Sequence, residues 1–184
     1  MILRETNARN ALKIAYTAMH GVGYRFVQET FAAFNLPEPI PVLEQVHPDP
    51  DFPTVAFPNP EEGKGALALS MATADRSGCT LILANDPDAD RLAVAEKQEE
   101  YHSRSTRFSR CSGSWKIFSG NEIAAVLADW AVVNRRKKGC DLSKCFMVAS
   151  TVSSKFLQSM GAHEGFQFIV RLSCEIWAKT ARIH

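Results

Sequence analysis

The sequence predicts an α/β protein: a three-layer α/β/α domain with a mostly parallel sheet, followed by the start of a second α/β unit. Two observations carry this prediction. Strand and helix patterns alternate along the 184-residue chain, and the strands are apolar almost throughout, as expected when helices cover both faces of a parallel sheet. The composition, with 46% hydrophobic and 22% charged residues, is that of a globular protein.

The first domain is predicted from its apolar periodicity. Residues 12–17, LKIAYT, are predicted to form a buried strand, which leads through a turn into a helix with Phe26, Phe31 and Phe34 on one face. A second strand is predicted over residues 40–43, and after a proline-rich loop a helix follows over 65–77, with Leu67, Met71 and Ala74 facing inward. Strands over 80–84 and 92–95 complete a βαβαβ order.

The chain changes character after residue 98. Residues 99–114, EEYHSRSTRFSRCSGS, are rich in Ser and Arg and lack periodicity, which is typical of a disordered surface insertion. Binding of nucleic acid through its three arginines is the alternative. A helix over residues 119–133, capped by Ser119 or Asn121, then precedes a strand over 145–150 and a helix over 153–160.

Composition and charge exclude several classes of protein. The formal net charge of +1 indicates neither a nucleic-acid footprint nor attraction to a membrane surface. No apolar run approaches the ~20 residues that span a bilayer. The five cysteines form no CxxC pair, which indicates reduced thiols and a cytoplasmic location. We therefore expect neither nucleic acid nor membrane among the partners.

Three carboxylates stand at alternate positions directly after a strand pattern. In TLILANDPDADRLAVAE they are Asp86, Asp88 and Asp90, and residues at i, i+2 and i+4 of an extended segment point the same way. Carboxylates converging in this way repel one another unless a cation lies between them, and hard oxygen ligands suit Mg²⁺ or Ca²⁺. An EF-hand loop is excluded, because its sixth position is Arg91 rather than Gly and its twelfth is Lys97 rather than Glu.

A Mg²⁺ site therefore becomes the prediction for this loop. Mg²⁺ needs few protein ligands, since phosphate and water complete its octahedron, and the guanidinium of Arg91 is placed to bind that phosphate. The carboxyl end of a strand is also where ligands of open α/β sheets gather. The alternative is an acidic surface turn without a metal.

Two features near residue 20 suggest other chemistry. Gly21-Val22-Gly23 resembles the start of a dinucleotide fingerprint, but the third glycine position is Phe26, which argues against a Rossmann cofactor site. His20 is a candidate general acid or base, although a histidine at a strand–helix turn is more often a structural hydrogen-bonding group.

Two later clusters have similar alternatives. Ser150, Ser153 and Ser154 follow a predicted strand, but without a partner base a helix-capping role is favoured over nucleophilic catalysis. Cys140 and Cys145 would supply half of a metal site, and the sequence offers no second half.

Five separated strings together resemble a known family. TAMHGVG, FPNPEEGKGAL, NDPDADRLAVAEKQ, FSGNE and STVSSKFL are similar, in this order, to α-D-phosphohexomutases of the phosphoglucomutase and phosphopentomutase type, close to glucose-1,6-bisphosphate synthase. The resemblance covers residues 11–98 and 115–168. It implies that Asp86, Asp88 and Asp90 are Mg²⁺ ligands and that Arg91 lies beside the phosphate group.

The resemblance also implies a reaction. A phosphoserine from a preceding domain would pass its phosphoryl group to a sugar monophosphate, giving a bisphosphate that reorients and returns a phosphate to the serine. The expected substrates of the full-length protein are phosphosugars such as glucose 1-phosphate, ribose 1-phosphate and glucose 1,6-bisphosphate. The sequence leaves the choice of sugar, the choice between mutase and bisphosphate synthase, and the oligomeric state open.

The family pattern divides the chain into segments. Residues 1–98 are expected to be domain II with the metal loop, 99–114 the insertion, 115–133 the final helix of domain II, 134–168 the start of domain III, and 169–184 an aberrant, frameshifted or mis-spliced tail. The phosphoserine loop, T-x-S-H-N-P, does not occur in the 184 residues, so no catalytic residue is assigned and the isolated chain is expected to be inactive. The alternative function is a non-catalytic short isoform that acts as an interaction protein.

Overall fold

The computed structural model describes residues 4–62, 64–98 and 115–171. It divides into two compact units, the first ending at Ser119 and the second beginning at Gly120. Both combine helices with parallel strand pairs, which confirms the predicted α/β class. The Ser/Arg-rich segment and residues 172–184 of the predicted tail lie outside the described residues, whereas residues 169–171 of that tail belong to a strand, Gln167–Arg171.

The first unit is built around one sheet of order β2-β1-β3-β4-β5. Its helices are α1 (Arg4–Ala8), α2 (Gly23–Phe34) and α3 (Lys64–Ser77), and its strands are β1 (Ile14–Thr17), β2 (Ile40–Pro41), β3 (Leu81–Asn85), β4 (Leu92–Lys97) and β5 (Trp115–Phe118). Strand β1 pairs in parallel with β2 and β3, whereas β4 is antiparallel to β3 and β5 to β4. The short loop between β3 and β4 cannot form the crossover that a parallel pair requires, so the chain turns back.

The element at residues 115–118 differs in type from the sequence prediction, and the helix Arg4–Ala8 and the strand Gln167–Arg171 were not predicted. Residues 115–118, expected together with 119–133 in a final helix of the first domain, form β5 and pair with β4. Four residues that follow an aperiodic segment carry too little periodicity to be recognised as a strand. The helix, α4, spans Gly120–Lys137 and groups with the second unit. The assignment of segments to the family's domains II and III stays a prediction.

The core of the first unit lies between α3 and the sheet. Helix α3 contacts β1 and β3, and its Leu67 and Ala74 are fully buried, as predicted. Ile82 of β3 is equally inaccessible. Of the phenylalanines predicted on one face of α2, Phe31 is buried but Phe26 is exposed. The core of the first unit therefore packs against β1 and β3, from whose carboxyl ends the candidate site is built.

The second unit is smaller. It contains α4, β6 (Phe146–Ser150), α5 (Phe156–Glu164) and β7 (Gln167–Arg171), and β6 pairs in parallel with β7. Arg136 of α4 forms an ion pair with Glu164 of α5. Several large apolar side chains of this unit are exposed: Val126, Leu127, Trp130, Phe146, Val152 and Phe156. No helix in the described ranges is long and apolar enough to cross a membrane.

Tryptophans occupy different settings in the two units. Trp115 of β5 is 8% exposed, and the Lys97 ammonium lies 5.9 Å from its ring centroid. Trp130 of α4 is 49% exposed. One ring therefore reports on a packed sheet edge and the other on a solvated helix surface.

Candidate metal centre

The aspartate loop, defined as residues 86–91, joins β3 to β4. Asp86, at the carboxyl end of β3, is 5% exposed, whereas Asp88 and Asp90 are exposed. One carboxylate oxygen from each of the three lies within 4.8 Å of the others. The predicted convergence is therefore present in the structure, while the role of these residues as metal ligands stays a prediction.

The donor set fits a hard divalent cation. Ligands bound to Mg²⁺ at about 2.1 Å lie roughly 3 to 4 Å apart in an octahedron, so a small contraction of the three carboxylates would suffice. The pKa of Asp90 is raised above its usual range, first by a hydrogen bond with the Asp86 carboxyl and then by the charge of Asp88. Concentrated negative charge of this kind favours either a proton or a metal ion.

Arg91 supports the loop and faces solvent at the same time. Its backbone N–H donates to Asp86 Oδ1 at 2.9 Å, and its Nε lies 3.8 Å from Asp86 Oδ2 and 3.9 Å from Asp90 Oδ1. The Arg91 side chain is 51% exposed, so its remaining donors can reach an incoming anion. Binding of phosphate by Arg91 stays a prediction, and the exposed position of its guanidinium beside the aspartates is compatible with it.

Both ends of the aspartate loop are tied together by side chains of the sheet. Asn85 Nδ2 donates to the carbonyl oxygen of Arg91 at 2.6 Å, and the Tyr16 hydroxyl donates to Asn85 Oδ1 at 3.0 Å. Burial raises the pKa of Tyr16 to about 12, so its hydroxyl remains a donor at neutral pH. Sequence reasoning missed this pair. Tyr16 lies outside the family-like strings, Asn85 begins one of them without an assigned role, and the two residues lie 69 positions apart.

His20 lies in a hydrogen-bonded turn beside Gly21. It is 4% exposed, its Nε2 is 2.8 Å from Thr54 Oγ1, and its backbone N–H donates to the Gln45 carbonyl at 3.1 Å. The backbone N–H of Asp49 in turn donates to the His20 carbonyl oxygen at 3.0 Å. These contacts favour the structural interpretation of His20 over general acid–base catalysis.

The serine cluster serves local structure. Ser154 Oγ accepts a hydrogen bond from the backbone N–H of Phe156, the first residue of α5, at 3.1 Å. The hydroxyls of Ser150 and Ser153 lie 2.8 Å apart. These contacts favour a local structural role over nucleophilic catalysis, although the N-cap residue of α5 is Lys155 rather than a serine. Cys140 and Cys145 are free thiols. Within the described part of the chain, the aspartates 86, 88 and 90 form the only group of three or more side chains that could together bind a metal ion.

A family model matches the first half of the chain. Residues 2–99 match the family described as "Phosphoglucomutase/phosphomannomutase, alpha/beta/alpha domain II". The match covers more than half of the chain and includes the whole aspartate loop.

Curated relatives are similar over nearly the whole chain. Phosphopentomutase of Homo sapiens is 48% identical over 177 residues, which cover 95% of this chain and 27% of the relative. Glucose 1,6-bisphosphate synthase of Homo sapiens is 44% identical over 168 residues, which cover 90% of this chain and 25% of the relative. The chain thus spans about a quarter of the length of these relatives.

A solved structure shares the fold. A phosphoglucomutase/phosphomannomutase family protein from Burkholderia thailandensis superimposes with a TM-score of 0.61 at 17% sequence identity, covering 88% of this chain and 29% of that chain. At this identity the likeness shows the architecture alone.

Proposed function

The chain belongs to the phosphoglucomutase/phosphomannomutase family, and from this premise we propose that it is part of a Mg²⁺-dependent phosphosugar mutase. The reaction would interconvert a sugar 1-phosphate with its 5- or 6-phosphate through a bisphosphate intermediate. The observation that carries the proposal is the convergence of Asp86, Asp88 and Asp90, within 4.8 Å, inside the segment that matches the family.

The described residues would each have a defined part. Asp86, Asp88 and Asp90 would hold the ion. The backbone N–H of Arg91 donates to Asp86 Oδ1 and so orients the Asp86 carboxylate. A Mg²⁺ ion held there would withdraw negative charge from a phosphoryl group in transfer. The exposed guanidinium of Arg91 would orient the phosphate through paired N–H donors. The phosphoserine would come from outside these 184 residues.

The sugar is proposed only as a class. The relatives named phosphopentomutase and glucose 1,6-bisphosphate synthase are of similar identity, at 48% and 44%, so glucose 1-phosphate, ribose 1-phosphate and glucose 1,6-bisphosphate are all candidate substrates of the whole protein. The cytoplasmic location expected from the cysteines also stays a prediction.

Metal binding is the first test. Titration calorimetry of the chain with MgCl₂ should show one site, and Asp88→Asn should weaken it at least about tenfold, since even residues that only support a metal ligand cost 10- to 100-fold when changed. Asp129→Asn, an exposed aspartate of α4, is the matched control and should bind like the wild type. Equal affinity in all three proteins would contradict the proposed ligands.

Activity is the second test. The isolated chain should show no turnover of glucose 1-phosphate or ribose 1-phosphate, because the phosphoserine string is absent from it. Adding polypeptides that carry the segments of the human phosphopentomutase outside the match should restore turnover, and Asp88→Asn should abolish it again. Turnover by the isolated chain would refute the assignment of the nucleophile to another segment. No rescue in trans, together with capture of a protein partner, would favour the interaction-protein alternative.

A further inference from the structure

The glycine turn, defined as residues 19–23, packs against the aspartate loop through bare backbone. A Cβ atom added to Gly21 would lie 2.2 Å from both the Cα and the carbonyl oxygen of Pro87, well under the 3.0 Å that real Cβ atoms respect. The obstacle is backbone, so no change of rotamer would relieve it. The backbone N–H of Val22 also donates to the Pro87 carbonyl oxygen at 2.9 Å.

A second glycine repeats this contact one step further along the loop. A Cβ atom added to Gly23 would lie 2.7 Å from the Tyr16 hydroxyl oxygen and 3.2 Å from Ala89 Cβ. Pro87 and Ala89 are the two residues that separate the three aspartates in the sequence. The glycine turn therefore contacts the loop at both of the positions between the candidate ligands.

The glycine turn is itself held in an uncommon conformation. Met19 and His20 are consecutive non-glycine residues with φ of 47° and 59°, the left-handed region that most residues avoid. Hydrogen bonds to Gln45 and Thr54 fix His20, and Met19 is fully buried. Strain of this kind persists only where the surroundings enforce it, and it is common beside functional sites.

We propose that the glycine turn, together with Tyr16, positions the aspartate loop. Gly21 sets how closely Pro87 approaches, Gly23 leaves room for Ala89, and Tyr16 ties the two loop ends together through Asn85. The spacing that resembles a dinucleotide fingerprint thus has a different physical reason, a close approach of two backbone segments. The part of this proposal that concerns the metal rests on the proposed function, whereas the part that concerns the loop does not.

Gly21, Gly23 and Tyr16 act as positioning residues in this arrangement. None of them offers a carboxylate to the metal site. They limit the conformations of the aspartate loop before any ion arrives, which lowers the reorganisation that binding requires. Loosening the glycine turn should therefore weaken Mg²⁺ binding even though every aspartate remains.

The test uses two variants with matched controls. Tyr16→Phe removes only the hydroxyl that donates to Asn85, and Tyr24→Phe makes the same change on the neighbouring ring, 6.2 Å away between centroids. Gly21→Ala adds a Cβ atom that would clash with the Pro87 backbone, whereas Gly65→Ala adds a Cβ atom where nothing lies within 4 Å. Should Gly21→Ala fail to fold, Tyr16→Phe still decides the question.

Hydrogen exchange of the metal-free protein is the first readout. Three amides report on the loop and its contact with the glycine turn: Val22, Ala89 and Arg91, which donate to Pro87 O, Asp86 O and Asp86 Oδ1. We expect these amides to exchange about tenfold faster in both test variants, while the amides of β1 and β3 keep their rates. A residue with a merely structural role would accelerate loop and sheet amides alike, and that result would overturn the proposal.

Mg²⁺ affinity, measured well below the unfolding temperature, is the second readout. Both test variants should bind at least about tenfold more weakly than the wild type, as expected for residues that support metal ligands, and both controls should bind equally well. Unchanged loop exchange and unchanged affinity would overturn the positioning role. If the wild type itself binds no Mg²⁺, the proposed function fails, and the exchange rates alone decide whether the glycine turn orders the loop.

Discussion

The two units differ in how completely their apolar residues are buried. In the first unit a five-stranded sheet and α3 share fully buried residues, among them Ala15 and Ile82 of the sheet and Leu67 of α3. In the second unit, a two-stranded sheet and two helices leave Leu127, Trp130 and other large apolar side chains exposed. Two-stranded sheets are marginally stable on their own. The candidate metal site thus lies in the unit with the more continuous core, where a loop can be held in a defined shape.

The largest difference between the units should appear when leucines are truncated. Leu67→Ala removes a fully buried side chain and should lower the free energy of unfolding of the first unit by about 2–5 kcal/mol. Leu127→Ala, at a position 60% exposed in the second unit, should change the free energy of unfolding of that unit by less than about 0.5 kcal/mol. Urea titrations followed by circular dichroism measure both, and similar losses in the two variants would refute the contrast.

A smaller effect is expected from the buried hydrogen bonds of Thr17, the last residue of β1. Thr17 is 1% exposed, donates to Gln45 Oε1 at 2.6 Å and accepts from the Met19 N–H at 3.0 Å. Thr17→Val keeps the shape but leaves both partners unsatisfied, so stability should fall by about 1–3 kcal/mol.

Thr151→Val, at an exposed position of the second unit, makes the same chemical change without burying an unpaired group. It should leave the urea midpoint nearly unchanged. A midpoint shift as large as that of Thr17→Val would show that loss of the threonine hydroxyl, rather than its burial, is what matters.

The smallest effect should come from an acid of the second unit, and it should depend on pH. The pKa of Glu164 is lowered, first by a hydrogen bond from His163 and also by the charge of Arg136. A carboxyl whose folded-state pKa is depressed stabilises the protein above its unfolded pKa of about 4.3, and this contribution is lost as the pH falls through the folded-state pKa.

Glu164→Gln should therefore lower the urea midpoint of the second unit at pH 7, with the difference from wild type shrinking as the pH is lowered below about 4.3. Asp129→Asn, an exposed carboxylate on the helix that carries Arg136, serves as the control for general loss of an acid. A Glu164→Gln difference that stays constant down to low pH would contradict a depressed pKa for this carboxyl.

Local pattern predicted the parts of the molecule that local forces determine. Strand β3 and the acidic loop after it are visible in the sequence, because an apolar run fixes the strand. The convergence of Asp86, Asp88 and Asp90 was predicted for an extended segment, whereas the structure forms a turn, in which the Ala89 N–H donates to the Asp86 carbonyl oxygen at 3.0 Å and Ala89 has a φ of 61°. The inward residues of α3 followed from the helical period in the same way. The antiparallel direction of β4 was not predicted, although the short connection to β3 explains it.

Contacts between distant parts of the chain could not be predicted in this way. Gly21 meets Pro87, and Tyr16 meets Asn85, only because parallel pairing of β1 with β3 brings their carboxyl ends together. Strand β5 was missed because it is short and is defined by its pairing with β4. The glycines stand out in the sequence for their spacing, but the reason for them is apparent only in three dimensions.

The contrast between Trp115 and Trp130 gives the molecule an optical label for each unit. A ring that is 8% exposed should emit at shorter wavelength than one that is 49% exposed, because solvent relaxation around the excited indole shifts emission to the red. With Trp177 replaced by Phe, the blue and red components of the fluorescence would follow the first and second units separately. A single sample could then show, without an added dye, which unit a ligand, a proton or a denaturant affects first.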